Sequence, residues 1–237
     1  MKHLNPYNLL YIDIETVSQT ASFSDIDSEM QEYFTQKTAY QRKDDYSPEE
    51  FYNRAGIWAE FGKIVCISIA YLAKVNKENQ LRFRSFYGHD EQILLEEFAD
   101  VLSNFSNYSF CGHNIKEFDL PFICRRMLIH GIQLPYHLDL AGKKPWEIKH
   151  IDTLDQWKFG DYKHYTSLKL LAKLFNIPSP KDDIDGSEVG RVYWQENNLK
   201  RIAIYCEKDV ATTAQLVLKW KNLPLLSNEQ IIYSDFS

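Results

Sequence analysis

The chain has 237 residues and a mass of 27.9 kDa, with 44% hydrophobic and 14% aromatic residues. This composition supports a folded core and excludes a disordered chain, while the length leaves no room for a polymerase. The formal net charge is -6, with 27 basic against 33 acidic residues. That balance argues against generic polyanion binding, because basic chains dominate non-specific binding to nucleic acid.

The cysteine spacing and the length of the apolar runs bear on the cellular location of the protein. The four cysteines, at positions 66, 111, 124 and 206, form no Cys-x-x-Cys pair, which favours reduced, mostly buried thiols. The longest apolar stretch, 64–73, is far shorter than the ~18 residues of a membrane-spanning helix. Residues 1–10 have no signal-peptide pattern. We therefore expect a cytoplasmic protein without a membrane partner.

The first 90 residues are predicted to contain three strands and a polar insertion. Apolar runs and alternation predict the strands over 9–14, 63–72 and 81–87. Between the first two, the acid-rich stretch from about 16 to 60 has helical spacing over 28–38 and 48–60, and Ser47 with Glu50 resembles a capping box. We interpret this stretch as an insertion that could act as a lid, a docking surface or plain elaboration.

Strands and helices alternate after residue 87. Helices are predicted over 90–104 and 118–130, and strands over 108–111 and 148–151. This alternation is typical of a layered α/β domain whose later strands are parallel. The C-terminal part is predicted to contain two helices, over 167–175 and about 198–221. A loop over 178–190 is predicted to connect them.

Charge is distributed unevenly along the chain. Residues 13–60 hold 11 acids and 4 bases, whereas residues 143–181 hold 8 bases and 4 acids. The second stretch predicts a locally basic face, and the plainer interpretation is that its lysines are simply solvated.

Asp13 and Glu15 end the first predicted strand. Residues two apart on a strand project from the same face, so two carboxylates would lie side by side. Their mutual repulsion is costly unless a cation is present, and the pair therefore indicates a metal site. An isolated Asp-x-Glu is nevertheless common by chance in a chain with 33 acids.

Two later segments carry further acids. In CGHNIKEFD, over 111–119, a strand leads into a turn and Asp119 opens the next helix, where the helix dipole also stabilises a carboxylate. On the last predicted helix Tyr205 and Asp209 are four residues apart and share a face. A tyrosine hydroxyl would therefore lie next to a carboxylate.

Together these acids resemble the three motifs of the DEDD superfamily of 3'-5' exonucleases, in its tyrosine subgroup (DEDDy). The resemblance runs from YIDIET (11–16) to YCEKDVATTAQL (205–216). It is closest to the bacterial stand-alone group related to the exonuclease domain of B-family DNA polymerases, on GHNIKEFDLPFICRR, HIDTLDQW (150–157) and SLKLLAKLFNIPSPKDDIDGSEV (167–189). The superfamily's histidine subgroup has a histidine five residues before the last acid, where this chain has Ile204.

The resemblance implies an α/β, ribonuclease H-like fold with a mixed five-stranded sheet, helices on both faces and an N-terminal helical insertion, as a single exonuclease domain over 1–237. It implies metal-assisted phosphodiester hydrolysis, in which Asp13, Glu15 and Asp209 hold one divalent ion and Asp13 with Asp119 holds a second. Tyr205 would orient the attacking water. Oxygen ligands favour Mg²⁺ or Mn²⁺ over zinc.

The resemblance also implies substrate contacts. Thr16 would lie near the 3'-terminal nucleotide, and Asn114 and Phe118 would touch the substrate strand or stack on a base, which tolerates any sequence. Asp152 lies in a segment typical of this group, and its role, structural or substrate-binding, stays open. Lys181 could reach a phosphate or pair with a neighbouring acid.

The expected substrate is single-stranded or frayed DNA, with nucleoside 5'-monophosphates as products. Trimming of RNA is an alternative, because the sequence contains no clear reader of the 2'-hydroxyl. A catalytically inactive nucleic-acid-binding module is another, and any polymerase or repair partner stays unidentified. The absence of a Walker A motif and of Gly-x-Gly-x-x-Gly speaks against an ATPase or a nicotinamide enzyme. The net charge no longer opposes nucleic acid, because four acids would bind cations.

Overall fold

Six strands form one mixed sheet in a computed structural model that describes residues 4–43, 45–161, 165–178 and 184–236. Their order across the sheet is β5-β4-β1-β2-β3-β6. Strand β2 is antiparallel to both of its neighbours, β1 and β3, whereas β4, β5 and β6 each pair in parallel with a neighbour. The strands are β1 (Leu9–Ser18), β2 (Gly62–Val75), β3 (Glu78–Tyr87), β4 (Ser109–Gly112), β5 (Ile151–Asp152) and β6 (Ile231–Ile232).

Helices flank the sheet. Several begin at a polar side chain that accepts a backbone N–H two or three residues later, as Asp90 does for the third helix and Asn198 for the last. In the described part of the chain, no helix combines the length and apolar character needed to cross a membrane. The helices are α1 (Ser28–Arg42), α2 (Pro48–Phe51), α3 (Glu91–Leu102), α4 (Asp119–Ile129), α5 (Thr153–Lys158), α6 (Leu168–Leu174), α7 (Val189–Trp194) and α8 (Leu199–Trp220).

The alternation of side chains along β1 explains the layers. Ile12 and Ile14 pack with α3 and α4 on one face of the sheet. Leu9 and Tyr11 pack with α8 on the other face. A strand that is apolar on both faces needs cover on both. The predicted α/β class, with helices on both faces, is confirmed, and so are the free, mostly buried cysteines.

The structure differs from the predicted elements at several places. The sheet has a sixth strand, β6, because the two-residue run Ile231–Ile232 pairs with β3 far away in sequence and is too short to show alternation. Helix α7 covers part of the predicted loop 178–190, and it begins without a side-chain cap that could have marked its start. The strand predicted over 148–151 is only Ile151–Asp152.

The insertion between β1 and β2 spans 19–61 and not 16–60, because β1 continues to Ser18. It has an aromatic core of its own, in which the Phe34 ring lies 5.1–6.1 Å from the rings of four neighbours. Its last turn lies directly on β1: a Cβ on Gly56 would come within 3.0 Å of the Val17 backbone. The insertion is therefore a packed part of the fold.

Candidate active site

The acid pair of β1 lies beneath α8. Asp13 and Glu15 face the α8 side of the sheet, opposite Ser68 and Cys66 of β2. The Cys206 thiol of α8 donates to the Asp13 backbone oxygen at 3.4 Å and to its carboxylate at 3.5 Å. Carboxylate oxygens of Asp13 and Glu15 and the Cys206 sulfur all lie within 4.8 Å of one another. The helix thus brings its polar face onto the two acids.

Asp119 joins Asp13 and Glu15 from α4, which packs on the face of the sheet opposite to α8. It is the first residue of α4, and its Oδ1 accepts the N–H of Ile14 at 3.1 Å, between the two β1 acids. It is buried, and burial raises the pKa of its carboxyl to about 7. The helix start predicted at this residue is confirmed, and the contact with β1 fixes the carboxylate beside Asp13.

Tyr205 and Asp209 lie on α8 as its periodicity predicts. Their side chains are hydrogen-bonded to each other. Burial, together with the nearby negative charges of Asp209 and Glu15, raises the pKa of Tyr205 well above its ordinary value. The phenol therefore keeps its proton at neutral pH and can donate a hydrogen bond, but it cannot act as a base.

A cleft of about 410 Å³ opens over these residues. Asn114 and Phe118 line it, whereas the hydroxyl of Thr16 donates to the Gly56 oxygen at 2.7 Å, and Thr16 is absent from the cleft wall. Glu15 lies deeper, at 7% exposure. The wall consists of Asp13, Ile14, His113, Asn114, Phe118, Asp119, Tyr165, Ser167, Leu168, Lys169, Asp185, Gly186, Tyr205 and Asp209.

The β1 acids carry an unfavourable charge arrangement. Burial, and after it the charges of Asp119 and Asp209, raise the pKa of Asp13 well above its usual range. Burial and the charges of Asp13 and Asp209 do the same for the pKa of Glu15. Within the described residues, the ion pairs involve other acids than these two. A hard divalent cation fits such a set of oxygen donors.

Asp152 has a structural role, which resolves the question left open by the sequence. It is 1% exposed, and its carboxylate accepts three backbone N–H groups, from Asn114 at 2.9 Å, Lys116 at 3.0 Å and Leu154 at 2.9 Å. Asn114 has a φ of 68°, so the turn after β4 needs this support. Asp152 therefore holds the turn that carries Asn114 and Phe118.

Gly112 permits the same turn. A Cβ at this position would lie 2.1 Å from a methyl group of Ile115 and 2.6 Å from the backbone oxygen of Ile12. The close approach of β4 and β1 therefore requires glycine. Next to it, the His113 ring bridges the Thr153 hydroxyl and the Thr166 oxygen, both at 2.9 Å, and so joins two walls of the cleft.

Sequence reasoning did not assign eight residues of the cleft wall to the site, among them Tyr165, Ser167, Lys169 and Asp185. The one available signal is Ser167, whose hydroxyl caps α6 and thereby places this helix start at the cleft. The Cys206 thiol was expected only to be buried, since nothing in its sequence context shows that it contacts Asp13. Lys181 lies outside the described residues.

Comparisons with known proteins agree with this geometry. A family described as "Predicted 3'-5' exonuclease related to the exonuclease domain of PolB" matches residues 57–229. The solved structure of the family B DNA polymerase from the hyperthermophilic archaeon Pyrobaculum calidifontis is similar, with a TM-score of 0.53 and 17% identity over 92% of this chain. This chain spans only 24% of that polymerase, and at such identity the similarity shows the fold alone. No curated protein sequence matches.

The predicted ribonuclease H-like fold is thereby confirmed, since it is the fold of that exonuclease domain. The family match covers both the turn that carries Asp119 and the α8 residues Tyr205 and Asp209. It also covers most of the chain. The protein therefore belongs to the family of predicted 3'-5' exonucleases related to the exonuclease domain of PolB.

Proposed function

We propose that this protein is a metal-dependent 3'-5' exonuclease of the DEDDy subgroup, within the bacterial stand-alone group, acting as a single domain over residues 1–237. One observation carries the proposal. Three acids, the half-buried Asp13 and the buried Glu15 and Asp119, converge with the hydrogen-bonded pair Tyr205 and Asp209 at one cleft. Membership of an exonuclease family supports the same chemistry.

Asp13, Glu15 and Asp209 would hold one Mg²⁺ or Mn²⁺ ion, and Asp13 with Asp119 a second. Asp119 uses Oδ1 for the N–H of Ile14, which leaves Oδ2 for a cation. When bound, divalent ions lower the pKa of an attacking water and neutralise the charge that develops on the scissile phosphate. The raised pKa values of Asp13 and Glu15 support the assignment, because an external cation would relieve their repulsion.

Tyr205 would orient the attacking water. Its protonated hydroxyl lies against Asp209, which fixes the direction of the O–H group. A fixed hydroxyl limits the orientations open to a neighbouring water, and such positioning lowers the entropic barrier to attack. Because the phenol keeps its proton, Tyr205 contributes geometry and does not remove the proton of the water.

Single-stranded or frayed DNA is the proposed substrate. The cleft of about 410 Å³ suits one terminal nucleotide and is too small for a duplex. Asn114 and Phe118 would contact that nucleotide from the cleft wall. Attack on phosphorus with the 3'-oxygen of the preceding nucleotide as leaving group keeps the phosphate on the released residue. The products are then nucleoside 5'-monophosphates.

A nuclease panel tests the proposal. Purified protein with Mg²⁺ or Mn²⁺ should shorten a 5'-labelled single-stranded DNA from its 3' end, and mass spectrometry should identify nucleoside 5'-monophosphates. Asp13→Ala and Asp209→Ala should abolish shortening, whereas Glu49→Ala, an exposed acid of α2, should not. Shortening that survives Asp13→Ala would overturn the metal site. Faster degradation of a matched RNA would favour RNA trimming, and binding without hydrolysis in either metal would favour an inactive module.

A further inference from the structure

The segment between α4 and β5 exposes two aromatic side chains. Tyr136 is 82% exposed and Trp146 is 76% exposed, although rings of this size normally contribute to a core. Each ring has a lysine ammonium 5.3 Å from its centroid, Lys143 for Tyr136 and Lys144 for Trp146. The segment therefore presents the same combination twice, an open aromatic face and an adjacent cation.

This segment is anchored to the fold. Leu138 is fully buried, and the backbone oxygen of His137 forms a 2.8 Å hydrogen bond with the His150 ring. The His137 ring packs on Phe110 of β4, with ring centroids 6.1 Å apart. The carboxylate of Glu147 accepts the N–H of Lys144 at 2.7 Å and closes a turn. The two aromatic–lysine pairs therefore have defined positions.

The same surface continues to the candidate active site. A cavity of about 560 Å³ separates the segment from α4, with Lys143 on one side and Lys116 and Arg125 on the other. The N–H of Lys116 is bound by Asp152 in the turn that carries Asn114 and Phe118. A nucleic-acid strand that leaves the cleft over this turn would pass Lys116 and reach this cavity, whose other side the aromatic segment forms.

We propose that this surface binds single-stranded nucleic acid upstream of the 3' end, through the side chains of Lys116, Arg125, Tyr136, Lys143, Lys144 and Trp146. The proposal rests on the proposed function and extends it from the terminal nucleotide to the strand behind it. Aromatic faces stack on bases of any sequence while cations bind the backbone, as single-strand binding surfaces require. Of the nearby acids, Asp155 is paired with Lys116 and Lys158, at 3.4 and 3.8 Å.

An acidic peptide is the competing occupant, because a cavity with apolar walls and a cationic rim could also bind one. The exposed rings favour nucleic acid. Tyr136 and Trp146 lie outside the cavity lining, where they offer flat faces to a base and no pocket to a side chain. Both rings are exposed, so their replacement leaves the core intact.

Fluorescence anisotropy with 5'-labelled thymidine oligonucleotides tests the proposal, with Ca²⁺ in place of Mg²⁺ and strand integrity checked on gels. The wild type should bind a hexadecamer more tightly than a tetramer. Tyr136→Ala with Trp146→Ala should weaken hexadecamer binding by about tenfold or more, because each missing stack has that order of effect. Tyr40→Ala, which removes a tyrosine 90% exposed on α1, is the matched control and should change nothing.

Charge reversal separates the cations from the rings. Lys143→Glu with Lys144→Glu should reduce the salt dependence of hexadecamer binding, with a slope lower by about 0.7 for each phosphate that the variant does not neutralise. Equal binding of the hexadecamer by wild type and the double aromatic variant would overturn the proposal. A second outcome would also overturn it. In that outcome the charge-reversal variant binds the hexadecamer as tightly as the wild type does, and the wild type, but not Arg125→Glu, selects acidic, apolar peptides from a random display library.

Failure of the surface and failure of the proposed function are distinguishable. A tetramer places its terminal nucleotide in the cleft and leaves only three nucleotides for the surface behind it, so its hydrolysis in Mn²⁺ depends mainly on the cleft. Hydrolysis of the tetramer with no gain in affinity for longer strands would overturn only the upstream surface. Absence of both binding and hydrolysis for every oligonucleotide would overturn the exonuclease assignment, and the surface with it.

Discussion

Two groups of interacting residues, one around Glu91 and one around Asp13 and Glu15, accommodate their acids in opposite ways. Glu91, at the start of α3, accepts the guanidinium of Arg126 at 2.5 Å, the His130 ring at 2.8 Å and the N–H of Ile64 at 2.7 Å. Asp13 and Glu15, on the other face of the sheet, have in the described chain mainly a thiol and other acids around them. The first group supplies its own cation, whereas the second needs one from solution.

This difference separates a structural acid from a functional one. A buried carboxylate that is fully hydrogen-bonded holds its surroundings together, and removing its partner leaves an uncompensated charge. A buried carboxylate beside other carboxylates lowers the stability of the metal-free protein, and it contributes to stability only when a cation binds. The same substitution, acid to amide, should therefore have opposite effects on stability in the two groups.

The largest expected effect comes from Asp13→Asn. We expect the hydrolysis rate to fall by about 10³-fold or more, because the ion that this acid would share contributes several kcal/mol to the transition state. In EDTA the variant should unfold at a higher temperature than the wild type, because a buried like charge is gone. Rates on a labelled oligonucleotide and thermal unfolding in EDTA measure both changes. A lower unfolding temperature would contradict the comparison.

Arg126→Met should act in the opposite direction on stability. It leaves the Glu91 carboxylate buried without its main cation, which should lower the free energy of unfolding by about 3–5 kcal/mol. Urea unfolding measures the loss, and calorimetric Mn²⁺ affinity should be unchanged. The double variant Glu91→Gln with Arg126→Met is the control, and it should recover part of the loss. Equal losses in the single and double variants would mean that packing, and not charge, dominates.

Metal and pH should act together on the β1 acids. Burial raises the pKa of Asp119 to about 7, and the pKa values of Asp13 and Glu15 are also raised. The folded state therefore binds protons more tightly than the unfolded state. The resulting stability is full below the ordinary pKa of a carboxyl and is lost as pH rises through about 7.

In EDTA, the unfolding temperature should accordingly fall between about pH 5 and pH 8. Mn²⁺ at a hundredfold excess over its Kd should restore about 2.7 kcal/mol, and more readily at the higher pH, where the carboxylates are ionised. Differential scanning fluorimetry across this range, with and without Mn²⁺, measures both trends. A metal-free unfolding temperature that rises with pH would be inconsistent with raised carboxyl pKa values.

The smallest expected effect belongs to Asp152→Asn. The amide keeps one oxygen for the N–H groups of Asn114 and Leu154 but turns an NH₂ group toward the N–H of Lys116. The free energy of unfolding should fall by about 1–3 kcal/mol, with a moderate loss of kcat through the displaced turn. Asp155→Asn, an exposed neighbour that pairs with Lys116, is the control and should be nearly neutral.

Local sequence patterns sufficed for the parts of the site that lie within one element. Asp13 and Glu15 share a strand face, and Tyr205 and Asp209 share a helix face, as the side-chain periodicity of each element predicts. Asp119 opens a helix, as the helix-start signals predict. Their family order in the chain then indicated that the pieces meet. The same patterns predicted β1, β2, β3 and α8 within a few residues.

Contacts between distant elements were beyond such patterns. Thr16 follows the acid pair, yet its hydroxyl is bound to Gly56 forty residues later, across the insertion. Asp152 serves a turn that lies 36 to 38 residues earlier in the chain. Strand β6 exists only because residues 231–232 reach β3. Each depends on tertiary packing, which overrides local propensity.

Strand β6 also bears on self-association. Without it, part of the outer strand β3 would present free N–H and C=O groups along a ten-residue edge, and such edges recruit a strand from a second molecule. The short pairing at Leu81 and Arg82 blocks the centre of that edge, and the Tyr233 ring covers Phe83 beside it. The C-terminal segment thus covers part of the β3 edge, and a variant that lacked it should be more prone to aggregate.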